Sequence, residues 1–453
     1  MSEVAAGAAR PVTHARVLRI ALPIVLSNAT VPLLGIVDTA VVGQLGEAAP
    51  IGAVGTGALI ITAILWIFGF LRMGTVGLAG QAVGEGDGAE VLAILSRALL
   101  VGGMGGAAVI LLQWPIIAFA LWVQPASPEV ESLARDYMTI RIWSAPAAIG
   151  LYGITGWLIA QERTGGVFAI QLVQNGLNMV LSWLLGLELG WGVQGVAAAT
   201  LVADLVAFLF ALWLARDGFR GEAWRDRARV LDPGKMRRFG GVSSDILIRS
   251  VLLELTFLSF LVYFSSALGE VALAANQVLL QFLFLTAYAM DGFAFAAEAL
   301  VAQALGARRP ELLRRGALLT SLWAVGIVAA FALLFWTFGG PIIDLLTTAP
   351  DVRAEARLYL PWMVAAPLVG AAAWMLDGIF IGASQTRDMR NMMLVSTAIY
   401  FAAAVPLAAA FGNHGLWAAF LISFLARGVT LGLRYPRIEA RAVRGGLPSG
   451  VAR

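Results

Sequence analysis

Runs of apolar residues separated by short polar breaks recur along the whole chain. Stretches of about 20 or more occupy 17–46, 51–83, 98–123, 165–187, 192–215, 250–268, 271–290 and 316–343, among others. A bilayer core of ~30 Å needs about 20 apolar residues per helix. Short alternating segments, the mark of a β-barrel, are not the pattern here. Read against loop signals, the runs predict an all-α polytopic membrane protein of about twelve spans. Their approximate limits are 16–44, 51–83, 92–121, 134–160, 165–187, 193–216, 240–266, 272–304, 311–338, 353–383, 388–411 and 415–435.

Composition agrees. Of 453 residues, 60% are hydrophobic and 13% charged, with mean hydropathy +0.83, whereas soluble domains run near a quarter charged. With no cysteine, disulfides, thiol nucleophiles and Cys-ligated metals are excluded. The two histidines, His14 and His414, fall near predicted loops and suggest no metal site. The first apolar run is too long for the core of a cleavable signal and reads as a retained span.

Charge predicts orientation. The loops 44–50, 122–133, 187–192, 267–271, 339–352 and 411–414 hold no Lys or Arg. The opposite side holds Arg10, Arg16, Arg19, Arg163, Arg308, Arg309, Arg387, Arg390, Arg434, Arg437, Arg441 and Arg444, and the basic stretch 217–238, DGFRGEAWRDRARVLDPGKMRR. The positive-inside rule puts that side, and both termini, in the cytoplasm. The formal charge of +3 and pI near 9.5 then need no nucleic acid to explain them.

The chain repeats itself. GLAGQAVGEGD (77–87) resembles ALVAQALGARR (299–309), with Gln81 and Gln303 222 positions apart. Thr164 and Thr386 close a second pair of similar segments at the same offset, and LGEAA (45–49) resembles LGEVA (268–272) at 223. Matches in register indicate duplication of a six-helix unit. Six is even, so the copies share an orientation, related by a pseudo-twofold axis along the membrane normal. The predicted divisions are a cytoplasmic segment 1–15, an N-lobe 16–216, a basic linker 217–239, a C-lobe 240–435 and a tail 436–453. Two such lobes enclose a cleft and work by rocking.

Against this background, some polar residues stand out. Asp38 in PLLGIVDTAVVGQLG has no charged neighbour between Arg19 and Glu47. Ionisable groups at membrane depth cost at least ~2.5–3.5 kcal/mol, so each suggests a function. Span 5 brings Asn175, Asn178 and Ser182, and span 6 brings Thr200 and Asp204. Counted at ~1.5 Å per residue, Asp38, Asn178, Ser182 and Thr200 fall in the outer half, with Asp204 nearer the middle. A carboxylate among amides and hydroxyls suits a proton relay or a sodium site at Asp38. Structural hydrogen bonding across helices is the plainer alternative. The second half carries Glu254, Asp291, Glu298 and Asp377 at non-equivalent positions. Asp245 and Arg249, four apart, are expected to pair with each other. Pro23 and Pro32 interrupt span 1, where a proline frees a carbonyl and allows bending.

The segments LPIVLSNATVPLLGIVDTAVVGQLG, FLRMGTVGLAGQAVG, NGLNMVLSW, VQGVAAAT, AYAMDGFAFAAEALVAQALGARR and LDGIFIGASQTRDMRN resemble, in order, the multidrug and toxic compound extrusion (MATE) family in its DinF-type branch. The resemblance spans about residues 16–435. It implies two six-helix lobes around an alternately opening cleft in a bacterial inner membrane, and a monomer. It also implies export of small organic, often cationic or amphipathic, compounds against inward H⁺ or Na⁺, with no cofactor. Asp38 matches the family's first-helix carboxylate, tied to coupling and to bending of that helix. Asn178 and Thr200 match polar members of the same cluster. Ser182 stands where the family often has Asp, and Asp204 is a candidate replacement. Glu254 and Asp377 resemble cation-site acids of another branch, and Asp291 a C-lobe carboxylate of this one.

The competing expectations are a flippase for a lipid-linked precursor, which needs a cationic cleft, and an intramembrane aspartyl protease, which needs two aspartates in contact and usually a Gly-x-Gly-Asp run, which is not expected here. An ATP-driven pump is disfavoured because no P-loop pattern is present.

Overall fold

A computed structural model describes residues 11–44, 48–124, 126–220 and 222–446, with the side chains of 31–34 and 444–446 outside the description. Among the described residues there is no strand.

The first span is two helices, α1 (His14–Ala29) and α2 (Val31–Gly43). The second is α3 (Ala48–Trp66) and α4 (Phe70–Glu85), joined by a 3₁₀ turn. α5 (Gly88–Leu111) and α6 (Gln113–Val123) form the third. α7 (Pro128–Arg141) and α8 (Ala145–Ala160) form the fourth. α9 (Thr164–Leu181) runs into a π-helical segment, Ser182–Glu188, and α10 (Gly192–Leu214) completes the first half. The linker carries a short α11 (Arg227–Val230). α12 (Pro233–Leu258) also ends in a π segment, Ser259–Ser265. α13 (Glu270–Gly306), α14 (Pro310–Leu346), α15 (Pro350–Gly382) and α16 (Thr386–Gly432) follow, and α17 (Tyr435–Gly446) closes the described chain.

Ten of these segments are long and apolar enough to cross a membrane. The count reaches twelve once the broken first span is included and α16 is divided at Gly412. There the loop expected over 411–414 is a kink inside continuous helical pairing. Gly412 takes φ 58°, ψ −136°, a left-handed conformation that glycine adopts at little cost. A buried amide pair braces the kink. Asn276 Nδ2 donates to Asn413 Oδ1 (2.8 Å), and Asn413 Nδ2 donates back to Asn276 Oδ1 (3.1 Å). Trp417 Nε1 and Ser265 Oγ complete the set on Asn276. Each polar atom of the buried Asn276 amide is thereby paired, as burial requires.

The described residues form two compact units. One comprises those of Met1–Val25, Gly80–Gly86 and Gly241–Arg453; the other comprises Leu26–Ala79 and Asp87–Gly240. In the first, α13 packs along both α14 and α15, and an aromatic core gathers Phe260, Tyr400, Trp417, Phe420 and Phe424. The internal repeat is visible in this unit. A side chain on Gly84 would collide with the Gln303 carbonyl, and one on its repeat partner Gly306 would collide with the Gln81 carbonyl. Two helix ends 222 positions apart thus cross by reciprocal backbone contact.

Candidate functional site

The first-span break falls at Thr30, two residues before Pro32. Proline lacks the N–H that the carbonyl one turn earlier would need. The ring of Pro32 lies outside the described residues, and its backbone sits in the first turn of α2. Pro23 is carried inside an unbroken α1. Thr30 Oγ1 donates to the Ser27 carbonyl (2.7 Å) and accepts from Asn175 Nδ2 (2.7 Å), whose own Oδ1 accepts from Gln171 (3.0 Å). Span 5 therefore ties off the break in span 1.

Two turns further on, a second chain of bonds joins spans 1, 5 and 6. Ser182 Oγ donates to Asp38 Oδ1 (2.9 Å). Asn178 Nδ2 donates to Thr200 Oγ1 (2.8 Å), which donates to the Val196 carbonyl (3.0 Å). Ser182 also lies 3.5 Å from Asn178 Oδ1. A serine has one hydroxyl proton, and the shorter contact to Asp38 takes it. Asn178 Oδ1 is left as an acceptor beside the carboxylate cluster. Ser182 opens the π segment of span 5, a distortion frequent at functional sites. Asp38 is half-buried, and no cation lies within ion-pair distance of it among the described residues. The oxygens of Asp38, Asn178, Ser182 and Thr200 form a hard-donor set suited to a proton or a sodium ion rather than to a soft metal.

Asp204 is held differently. Its Oδ2 accepts from Arg141 Nη1 (2.6 Å) and its Oδ1 from Gln174 Nε2 (2.8 Å). Arg141 Nη1 also donates to Ser144 Oγ (2.6 Å). Neither Arg141 nor Gln174 was singled out by the sequence pattern as a site member. The signal available for Arg141 was a guanidinium placed beyond Arg135 and Asp136, at the edge of the apolar part of its span.

In the C-terminal half, Asp377 Oδ2 is bonded to Arg249 and lies 3.9 Å from Arg427 Nη1. All three side chains are buried. Asp377 Oδ1, Arg249 Nε and Arg427 Nε and Nη2 have no hydrogen-bond partner among the described residues. The expected pairing of Asp245 with Arg249 is not formed. Asp245 instead accepts from Arg390 Nη1 (2.6 Å) and Thr386 Oγ1 (2.9 Å), because α16 presents its first turns to that carboxylate while α15 presents Asp377 to Arg249. Glu254 is exposed on α12, with no ion partner among the described residues. Asp291 is half-buried and Glu298 buried on α13, and both are engaged. The structure thus brings Asp38, Asn178, Ser182 and Thr200 into one network, ties Asn175 to Thr30 instead, and places Asp204 in a separate pair with Arg141. The run Gly84-Glu85-Gly86-Asp87, of the kind an intramembrane aspartyl protease carries, ends on a helix cap: Asp87 Oδ1 accepts from the Glu90 amide.

The MatE family model matches residues 23–184 and 247–425. The chain is 38% identical over 427 residues to DNA damage-inducible protein F of Escherichia coli, covering 91% of this chain and 90% of that protein. It is 28% identical to a probable multidrug resistance protein NorM of Bradyrhizobium diazoefficiens, with 94% of each covered. Among solved structures, a MATE in the bent conformation superposes with a TM-score of 0.85 at 20% identity, covering 95% of this chain and 97% of that one. The Vibrio cholerae MATE transporter VcmN in the bent form gives 0.84 at 20% identity, covering 97% and 99%. These structures share its two-lobe, all-helical fold. This multi-pass membrane protein, with its repeated halves and its carboxylate in the broken first helix, belongs to the MATE family of transporters and is not an enzyme.

Proposed function

We propose that the chain is a secondary antiporter exporting small organic compounds, cationic or amphipathic, against inward movement of H⁺ or, in its place, Na⁺, with Asp38 as the uptake site. The observation that supports this is the company Asp38 keeps. Its bonded partner is a neutral hydroxyl, Ser182, at 2.9 Å, so neutralising it strands no buried cation. Neutralising Asp204 would strand Arg141, and neutralising Asp377 would strand Arg249 and Arg427. Uncompensated buried charge is costly enough to exclude both as freely cycling carriers.

In this reading Asn178, Ser182 and Thr200 receive the ion with Asp38. Charge uptake there shifts the Thr30 break that Asn175 holds, and the lobes 16–216 and 240–435 alternate access across the linker 217–239. Glu254, exposed and without an ion partner, is the C-half acid assigned to cargo or to a second ion. Asp291 and Glu298 support the fold of α13. The protein works as a monomer in a bacterial inner membrane with both termini cytoplasmic, as the arginine distribution favours. The relatives' description as multidrug resistance proteins supports the cargo class. The flippase alternative needs a cationic cleft, whereas Arg141 is held by Asp204, and Arg249 and Arg427 share Asp377.

The test is export of a fluorescent organic cation from proteoliposomes under an imposed pH gradient. Gradient-dependent export by the native chain and its loss in Asp38→Asn are expected; undiminished export by the variant overturns the assignment. Replacing sodium by choline separates the two ions, since a sodium-coupled cycle stops and a proton-coupled one continues.

A further inference from the structure

We propose that the N-terminal half binds an anionic phospholipid at its linker end, with an acyl chain in an apolar groove and the phosphate between Arg216 and Arg225. The groove has a volume of about 720 Å³, and its walls include Leu99, Gly103, Phe208, Trp213, Phe219 and Trp224. They come from α5, from α10 and from the linker. The helix faces beside it expose Leu100, Met104, Leu205 and Leu209, a continuous apolar surface suited to hydrocarbon rather than water.

The linker is fixed in place to form the headgroup end. Ser96 Oγ donates to the Trp224 carbonyl at 3.0 Å. A Cβ on Gly218 would stand 2.6 Å from Leu95 Cδ2 and 3.2 Å from the Trp157 ring, so this turn seats closely on α5 and α8. Phe219 meets Trp224 edge-on, with centroids 5.4 Å apart. Tryptophans at such a level are typical of the membrane–water interface.

Two guanidiniums are stacked at the mouth. Arg216 Cζ lies 4.4 Å from the Trp213 ring centre and Arg225 Cζ 4.4 Å from that of Trp224. A guanidinium stacked on a ring uses its face and keeps its N–H edge for phosphate oxygens. Two of the three nearby acids are engaged elsewhere. Asp217 lies 3.2 Å from Arg220 and 3.9 Å from Arg163, and Asp226 accepts from the Arg229 amide. Glu222 is exposed. Arg216 donates to the Trp213 carbonyl (3.1 Å), and neither it nor Arg225 has an acidic partner among the described residues. Basic residues at a cytoplasmic membrane surface attract anionic headgroups in this way.

The experiment uses the full chain in phosphatidylcholine liposomes doped with phosphatidylglycerol that carries a photoreactive acyl chain. Label is expected on peptides covering 99–103 and 205–213, competed by unlabelled phosphatidylglycerol about tenfold better than by phosphatidylcholine. Arg216→Gln with Arg225→Gln should lower that labelling roughly tenfold to thirtyfold, leaving a photoreactive phosphatidylcholine unaffected. Gly103→Phe, at a position open for at least 4 Å, should lower labelling by both lipids. No label on these peptides, equal competition by the two lipids, or unchanged labelling in both variants overturns the proposal. Lipid labelling is independent of transport, so its failure is distinct from a failure of the antiporter reading.

Discussion

In the N-terminal half one buried carboxylate, Asp204, meets a guanidinium, Arg141, while a second, Asp38, is bonded to the neutral hydroxyl of Ser182. In the C-terminal half a single carboxylate, Asp377, faces both Arg249 and Arg427. The scaffold repeats, down to the crossing of Gly84 and Gly306, and the charge does not. A surplus carboxylate can be neutralised by a proton or a small cation with nothing left stranded. A surplus guanidinium cannot discharge itself, since arginine stays protonated in proteins. The two buried clusters thus differ: one holds a carboxylate with no cation bonded to it, the other holds more guanidiniums than carboxylates.

The sharpest break in that comparison is Asp38→Asn. Gradient-driven export should fall to the level of empty liposomes, while thermal unfolding in detergent stays near native because no ion pair is lost. Asp377→Asn should do the reverse. It leaves two buried guanidiniums with no carboxylate, a change that typically costs about 3–5 kcal/mol and should appear as a large fall in melting temperature. Adding Arg427→Met should recover part of it. Equal effects of the two aspartate substitutions on stability would erase the distinction between the halves.

These contrasts were only partly legible in the sequence. The spans were, because a bilayer demands long apolar runs wherever the chain crosses it, and the offset of 222 marked the duplication. The residue types at Asp38, Asn178, Ser182 and Thr200 were also visible. The partners of the acids were not. Thr30 and Asn175 are 145 positions apart, and nothing local marks Thr30 as the break rather than Pro23. Asp245 and Arg249 have ideal helical spacing for a pair, yet partners on other helices, Arg390 and Asp377, take both. Exposed i, i+4 attraction is worth a few tenths of a kcal/mol, too little to compete with a buried cross-helix bond. At Gly412 glycine and asparagine signal a turn in the sequence, and the structure keeps the chain helical through a kink. The amide pair bracing it joins Asn413 to Asn276, 137 positions away.

Asp204→Asn sharpens the comparison from inside the N-half. It leaves Arg141 with Ser144 but no carboxylate, and the expected loss is about 2–3 kcal/mol. Export should be slower yet still gradient-dependent, since Asp38 is intact. Complete uncoupling would instead make the pair Asp38 and Asp204 the functional unit.

The smallest effect concerns the neutral braces. Asn276 serves Ser265, Asn413 and Trp417 at once, whereas Asn175 serves Thr30 and Gln171. Replacing Asn175 by Ala should cost about 1 kcal/mol, and the same change at Asn276 should cost more, because it leaves several buried groups unpaired. Bracing of this strength suits the two sites differently. Beside the Gly412 kink, Asn276 makes four bonds to three partners. Under the proposed mechanism the Thr30 break shifts as Asp38 changes charge, and it is held from span 5 by the single bond from Asn175. If Asn175→Ala proves as destabilising as Asn276→Ala, the Thr30 break is a fixed feature, and coupling has to run through another part of span 1.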